Sequence, residues 1–478
     1  MLLKIVGGKM KKRLGLLALT AVLTSVAYGA SIDHIQTYTP EYLGNQAQNG
    51  MINNASVYYN PAGIVNLEKG TYVHIGAQLA VGHEKMEYND KDYKADLFQP
   101  IPNFALYKVE DDSALYWTFG GIAGGGDLKY DNGVAGTAVI PDIVNGMGGI
   151  ASIVPIKDGF MPVVIKDIRD NGSSAEGKNL YAQTTLGKVW KIDNKLSLSA
   201  AGRLVYGIRE LKGDLKLKGN IYDETGKNLI TKDKELGASI DSERTAWGYG
   251  FQLGINYQAS EKLNLAMRYD SRVRLNFKAE GNNKNVQLPS NQQGKPGIDL
   301  GFGNFYPEYV PGTKTRRDLP AILAAGMSYK VTDNWIMALS GNYYFNKDAK
   351  MDRVAGSGNL GGLPLKGLEA EYDNGWELAL GTEYRFSPKW AVLGSINYAD
   401  TGAKVTSYDD VEYALNSVTL GTGLKYNPDE TTEWVFTVCH FFYDSESGHY
   451  DVKYQGAVPN PSYDKSITAF GVSYTKRF

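Results

Sequence analysis

The sequence predicts an all-β protein: a fourteen-stranded antiparallel transmembrane β-barrel with an N-terminal hatch inside its lumen. Three observations predict it. Apolar and polar residues alternate with period 2 over unusually long segments, the connections between those segments are alternately short and long, and a leader of export type precedes them with no later helical span.

The leader is read from its order of residue types. Lys9, Lys11, Lys12 and Arg13 precede an apolar run from Leu14 to Val26, and Ala27-Tyr28-Gly29-Ala30 supplies the small residues of a cleavage site. This is the pattern of a secretory signal peptide over residues 1–30. Its apolar run is shorter than the ~20 residues that span a bilayer as a helix. No later stretch of 18 apolar residues follows. A membrane form of the chain therefore has to cross with strands closed into a barrel, where every backbone group finds a partner.

Charge and cysteine content narrow the partners. The 478 residues carry 50 Lys and Arg against 52 Asp and Glu, and loss of the leader leaves 45 against 52, a net charge of −7. That balance lacks the basic footprint of a nucleic-acid binder. Cys439 is the single cysteine, so neither an intrachain disulfide nor a Cys-based zinc site can form. No metal or cofactor is expected.

The strands are clearest over 262–278. Leu263, Leu265, Met267, Tyr269, Val273, Leu275 and Phe277 alternate with Asn264, Arg268, Asp270, Arg272, Arg274 and Asn276, which gives one greasy and one charged face. Fourteen such segments recur, near 70–83, 98–109, 113–125, 179–191, 195–210, 244–258, 262–278, 317–330, 334–346, 374–386, 389–400, 414–426, 432–444 and 465–478. Most exceed the usual ~5–6 residues of soluble strands and suit tilted membrane spans. Tight polar turns such as Asp111-Asp112, Asp193-Asn194, Ala259-Ser260, Thr332-Asp333 and Ser387-Pro388 alternate with the longer segments 84–97, 127–178, 211–243, 279–316, 347–373, 401–413 and 445–464. Short periplasmic turns and long outer loops are the expected pattern of such a barrel. Trp117, Trp190, Trp247, Trp335, Trp376, Trp390 and Trp434 fall near strand ends, where aromatic girdles meet the two interfaces. The chain closes on Phe470, Val472, Tyr474, Lys476 and Phe478 in alternation, a pattern like the terminal signal read by the barrel assembly machinery.

Residues 31–69 do not alternate and precede the barrel of residues 70–478. A lumen of this strand number leaks unless filled, so this segment is expected to be the hatch. It contains Asn53-Asn54-Ala55-Ser56-Val57-Tyr58-Tyr59-Asn60-Pro61-Ala62-Gly63-Ile64, rich in side chains that bond to backbone in tight turns.

The run NNASVYYNPAGI, together with PIPNFALYKV at 100–109 and the segments at 247–281 and 319–346, resembles the FadL/TodX family of outer-membrane transporters for long-chain fatty acids and other hydrophobic compounds. The resemblance covers most of the chain after the leader and implies several things. The hatch motif corresponds to Asn60, Pro61 and Ala62. The ligand is captured in an apolar outer groove, passes to a lumen pocket and leaves sideways through a gap made by a kink in the third strand. Here that strand contains Gly120, Gly121 and Gly124, and glycines within a strand mark bulges or close approach. Long-chain fatty acids, or another hydrophobic small molecule, are the implied ligands, outer-membrane lipid the surroundings, and a monomer the expected state.

Residue chemistry suggests contacts beside that resemblance. The 127–178 segment is apolar for an outer loop, with Ile143, Val144, Met147, Ile150, Ile153, Phe160 and Met161, and exposed apolar patches mark binding surfaces. A carboxylate inside the lumen needs a cation, and Arg203, Arg209, Arg268, Arg272 and Arg274 fall at positions expected to face inward. No Gly-x-Ser-x-Gly elbow or His-Glu-x-x-His helix is present, so no enzyme is expected. A non-specific porin, an adhesin-like barrel and a lipolytic barrel are the competing functions.

Overall fold

Backbone pairing closes the sheet on itself. The computed structural model describes residues 35–290, 298–300, 306–352, 359–360, 363–364, 371–408, 410 and 412–478. The signal-peptide expectation for 1–30 and parts of the loops at 279–316 and 347–373 lie outside the described residues.

Fourteen wall strands follow one another: β1 Gly70–Tyr88, β2 Lys91–Val109, β3 Ser113–Tyr130, β4 Ser174–Lys191, β5 Leu196–Asp223, β6 Leu229–Gln258 and β7 Leu263–Asp270. They continue as β8 Ile322–Thr332, β9 Trp335–Tyr344, β10 Gly375–Arg385, β11 Trp390–Asp400, β12 Ser417–Asp429, β13 Thr432–Tyr443 and β14 Ser462–Arg477. Neighbours pair antiparallel, and the first strand pairs the last from Tyr72↔Arg477 to Glu87↔Ser462, which closes the cylinder.

Each strand turns apolar residues outward, as a lipid-facing wall requires. Tyr249 is 85% exposed, Phe98 72% and Leu186 68%. On the opposite face of the same strands, Gln99, Gln183, Gln252, Asn264 and Asn397 are buried. Trp190, Trp335 and Trp390 lie at the short-turn end and Trp247 and Trp376 toward the other, all partly exposed.

Two expected loops are largely strand. The 84–97 segment turns only at Asn89 and Asp90, both with positive φ, and pairs from Glu84↔Ala95 to Tyr88↔Lys91. The 211–243 segment extends β5 and β6 into a ribbon paired as far as Tyr222↔Leu229. The 127–178 segment holds a helix, Ala135–Gly146, and a hairpin, Ile150–Ile156 with Gly159–Asp170, that pairs onto β5.

The seventh strand changes phase. β7 stops at Asp270 and resumes as Asn276–Lys284. Below the break Leu265, Met267 and Tyr269 face outward, whereas above it Val273, Leu275 and Phe277 are buried. The expected inward placement of Arg272 and Arg274 is therefore corrected. Arg274 is exposed. Arg272 is half-buried and bonds the Asp348 carbonyl at the rim.

Residues 35–66 lie within the ring as two short helices, Pro40–Gly44 and Ser56–Tyr59, and a 3-10 turn, Pro61–Asn66. Several of their polar groups bond inward side chains of the wall. Asn49 N–H donates to Ser340 Oγ at 2.9 Å, and Asn264 Nδ2 donates to the Gly50 carbonyl at 3.0 Å. Small wall residues let this plug approach: a Cβ on Gly326 would stand 2.6 Å from Gly50 N, and one on Gly381 would stand 1.8 Å from Asn45 Oδ1.

Candidate functional site: a gap in the wall beside the plug

The wall is incomplete at one seam. β1 and β2 pair along their whole length, from Gly70↔Val109 to Tyr88↔Lys91. β3 and β4 pair from Ser113↔Trp190 to Tyr130↔Ala175. Between β2 and β3, however, rungs run only from Val109↔Ala114 to Asn103↔Gly120.

Sequence explains both free edges. Pro100 and Pro102 lack an N–H and sit two residues apart in β2, so their nitrogens fall on the same side of the strand. Proline is tolerated in a sheet where that side has no partner. On β3 the pairing to β4 shifts register between Gly121 and Ala123 and again between Ala123 and Gly126. Gly124 has φ +120° and Gly126 φ +104°, a region L side chains avoid. A Cβ on Gly124 would also stand 2.4 Å from the Asn179 carbonyl oxygen. The two bulges bend β3 away from β2.

A cavity of about 100 Å³ occupies this seam. Leu97, Gln99 and Ile101 line it from β2, and Gly121 and Ala123–Gly126 from β3. Tyr38 and Leu43 of the plug, Gln78, Ala80 and Glu84 of β1, and Phe441, Tyr443, Ile467 and Ala469 of the adjoining strands β13 and β14 complete the lining. The expected residues Gly120, Gly121 and Gly124 thus come together at the seam.

Asn60, Pro61 and Ala62 also form one unit. Asn60 Nδ2 donates to Asn256 Oδ1 at 2.7 Å and to the Met51 carbonyl at 3.2 Å, Pro61 opens the 3-10 turn, and Ser197 Oγ donates to the Ala62 carbonyl at 2.6 Å. Arg268, on the neighbouring strand β7, also holds the plug: its Nη1 donates to the carbonyls of Tyr58 and Tyr59 at 2.6 and 3.0 Å, and its Nε meets Asp270 at 3.1 Å.

Arg203 and Arg209 are inward and buried. Arg203 donates to Gln183 at 2.9 Å and to the Ser271 carbonyl at 3.1 Å; Arg209 pairs with Glu412 and donates to Asn179 at 2.8 Å.

The apolar outer residues do not share one open groove, which corrects the expectation. Ile143, Val144 and Ile150 are buried in a core with Met86, Tyr93, Leu128 and Tyr130, because the helix lies down on the inward faces of the strand extensions. Ile153 and Met161 are half-buried, and Met147 and Phe160 are exposed. Arg244, Arg317, Pro100 and Pro102 were not anticipated. Arg244 keeps the parity of Gly248 and Gly250, so carrying the alternation two more rungs places it inside.

A closed fourteen-stranded barrel with an apolar exterior, a polar interior and a filled lumen defines an outer-membrane barrel of transport type. The family model described as outer membrane protein transport protein (OMPP1/FadL/TodX) matches residues 35–478, and the chain belongs to that family. It is a family of transport proteins, not of enzymes. Among relatives, a 47 kDa outer membrane protein of Pasteurella multocida is 26% identical over 186 residues, 38% of this chain and 41% of that one. Outer membrane protein P1 of Haemophilus influenzae is 25% identical over 211 residues, 44% of this chain and 41% of that one. The matches therefore span about two fifths of those relatives. In fold, the chain is similar to a Pseudomonas aeruginosa FadL homologue, with a TM-score of 0.62 and 13% identity over 94% of this chain and 100% of that one. It is also similar to the P. putida toluene transporter TodX, with a TM-score of 0.59 and 12% identity over 93% and 99%.

Proposed function

We propose that this chain carries hydrophobic molecules, long-chain fatty acids foremost, inward through the outer membrane by passive binding and release. The plug of residues 31–69 acts as a hatch that blocks the axial path, and the ligand leaves sideways through the seam between β2 and β3. The protein works as a monomer embedded in outer-membrane lipid, after insertion by the barrel assembly machinery.

The observation that carries this reading is the loss of pairing between β2 and β3 beyond Asn103↔Gly120, with a cavity in the opening. A hydrophobic solute gains nothing from the aqueous space below the barrel, whereas a side opening delivers it into hydrocarbon. The buried plug argues against a general porin: its bonds to Ser340, Asn256, Asn264 and Arg268 fill the lumen where water and ions would pass.

Mass spectrometry of lipids that co-purify with the detergent-solubilised protein tests the ligand class. Fatty acids or other apolar molecules in stoichiometric amount support the reading. Steady ion conductance through single molecules in planar bilayers, with no bound apolar molecule, contradicts it.

A further inference from the structure

The row of outward side chains on β7 changes character where the strand breaks. Leu265, Met267 and Tyr269 face lipid, and beyond the break the outward positions are Arg272, Arg274, Asn276 and Lys278. The neighbouring segment pairs Asn276↔Arg316 and Lys278↔Lys314, and Val273 bridges Leu319. Thr315 and Arg317 turn into the lumen, where they bond Arg244 and Glu412, so Lys314, Arg316 and Asp318 turn outward. A further bridge, Arg317↔Met351, brings Lys350 and Asp352 alongside.

One carboxylate organises this surface. The side chain of Asp318 is fully covered, and it accepts from Arg316 Nε at 2.8 Å and Nη2 at 2.6 Å, with Arg272 Nε at 3.7 Å. The Lys350 N–H donates to it at 3.3 Å, and Lys350 Nζ meets Asp352 at 3.2 Å. A bidentate carboxylate fixes a guanidinium plane, so these arginines are set in place before any ligand arrives. Together the three segments present Arg272, Arg274, Lys278, Lys314, Arg316 and Lys350 outward, against Asp318 and Asp352. Acids stand at the margins: Glu280, one rung further out, takes Lys278 at 2.6 Å, Glu243 lies opposite Glu280, and Asp348 flanks Arg272. Arg274 and Lys314 are exposed and meet no carboxylate among the described residues. The surplus is local, since the whole chain carries more acids than bases.

The height of the patch identifies what it meets. Just below it Phe251 and Tyr269 lie with ring centres 6.1 Å apart beside exposed Tyr249, and Tyr343 and Phe345 meet at 5.1 Å on the next strands. Aromatic belts mark the level of lipid headgroups. Cations on the lipid face are costly within hydrocarbon and cheap at its margin. The change from Tyr269 to Arg272 therefore sets the cations at the level of lipid phosphates, on the side of the long loops.

We infer that this surface binds a phosphorylated glycolipid of the outer leaflet, with its phosphates on Arg274 and Lys314 and its acyl chains along Tyr269 and Phe251. Arg272 and Arg316, held by Asp318, supply further donors. Phosphate takes paired bonds from a fixed guanidinium, whereas a zwitterionic headgroup brings its own cation and gains less. The inference rests on the transport reading only for the barrel's place in an outer membrane, and it adds a lipid partner on the exterior, apart from the molecule carried.

The test is native mass spectrometry of the full barrel in non-ionic detergent, titrated with bisphosphoryl lipid A, monophosphoryl lipid A or phosphatidylethanolamine. The unaltered protein is expected to retain the bisphosphoryl lipid most tightly. Arg274→Gln with Lys314→Gln is expected to weaken that binding roughly ten- to thirtyfold, the loss of two cations at a lipid surface. Both side chains are exposed, so heat-modifiable mobility is expected to stay unchanged. Lys108→Gln with Lys188→Gln removes the same charge at the short-turn end and is expected to leave binding unaltered. Equal retention of the three lipids by the unaltered protein overturns the inference, and needs no variant to fold. Undiminished binding by the Arg274→Gln, Lys314→Gln barrel also overturns it, as does equal weakening in both double variants, which marks a general attraction of anions. Failure of the transport reading is distinguishable: cells making the unaltered protein would then take up no labelled tetradecanoate, whatever lipid the purified barrel retains.

Discussion

Asn103 on β2 pairs with Gly120 on β3, and this is the last rung the two strands share. Beyond it β2 pairs with β1 alone, and β3 with β4 alone. An open seam in a barrel exposes unpaired backbone groups, which the bilayer interior does not tolerate unless they are removed or covered. Pro100 and Pro102 remove two donors outright, and the bulges at Gly121–Gly126 interrupt the regular edge of β3.

If the prolines keep the seam open, restoring the donors closes it. Pro100→Val with Pro102→Val is expected to extend the β2–β3 ladder and to lower uptake of labelled fatty acid severalfold, with heat resistance unchanged or raised. Hydrogen exchange at residues 121–126 reads the ladder directly. Exchange as fast as in the unaltered protein would show that the prolines are not what holds the strands apart.

Arg268 ties the plug to the wall and neutralises Asp270. Arg268→Ala frees the Tyr58 and Tyr59 carbonyls and leaves Asp270 buried beside Arg203, which is bonded elsewhere. Breaking a buried pair on one side costs about 3–5 kcal/mol. The expected outcome is a lower urea midpoint and ion leakage in planar bilayers. A tight, fully stable barrel would remove Arg268 from the role of plug anchor.

The turn between β4 and β5 supplies a pH-dependent contact outside the membrane. Asp193 accepts from the N–H groups of Lys195 and Leu196 at 2.7 and 2.8 Å, and these bonds hold its carboxyl below its ordinary range. A folded-state value below the unfolded one means that the contribution is present at neutral pH and is lost as pH falls through the folded value. Carbon-detected NMR should place the Asp193 titration below the ~3.9 of a free aspartate. A midpoint at or above that figure would show that the turn bonds are not kept in solution.

Much of this architecture was legible because lipid on one face and a polar lumen on the other impose alternation that composition cannot hide. Leu263 to Tyr269 reads outward and Asn264 to Asp270 inward, as found. The same reasoning fails beyond the membrane, where the environments exchange. Met86, Tyr88, Tyr93 and Ala95 turn inward because the outer vestibule is apolar, so β1 and β2 there read as loop. At Ser271 the chain breaks and Val273, Leu275 and Phe277 change sides, which no periodicity announces and which carries Arg274 out of the lumen. The glycines of β3 signal a bulge, but only the pairing of β2 reveals which side opens. Arg209 was drawn from the sequence, whereas Arg244 was missed although it heads the strand expected over 244–258, because the alternation was read only from Trp247 onward.

The central claim is that ligand leaves through the seam. The direct test measures uptake of labelled tetradecanoate by cells producing a Gly120→Val, Gly121→Val barrel, alongside its binding to the purified protein. A Cβ on Gly120 would stand 3.1 Å from Thr37 Cγ2 of the plug, so bulk there is expected to press β3 outward against the opening. The account predicts a heat-resistant barrel that still binds tetradecanoate and no longer delivers it. Uptake at the unaltered rate by that folded variant would contradict it.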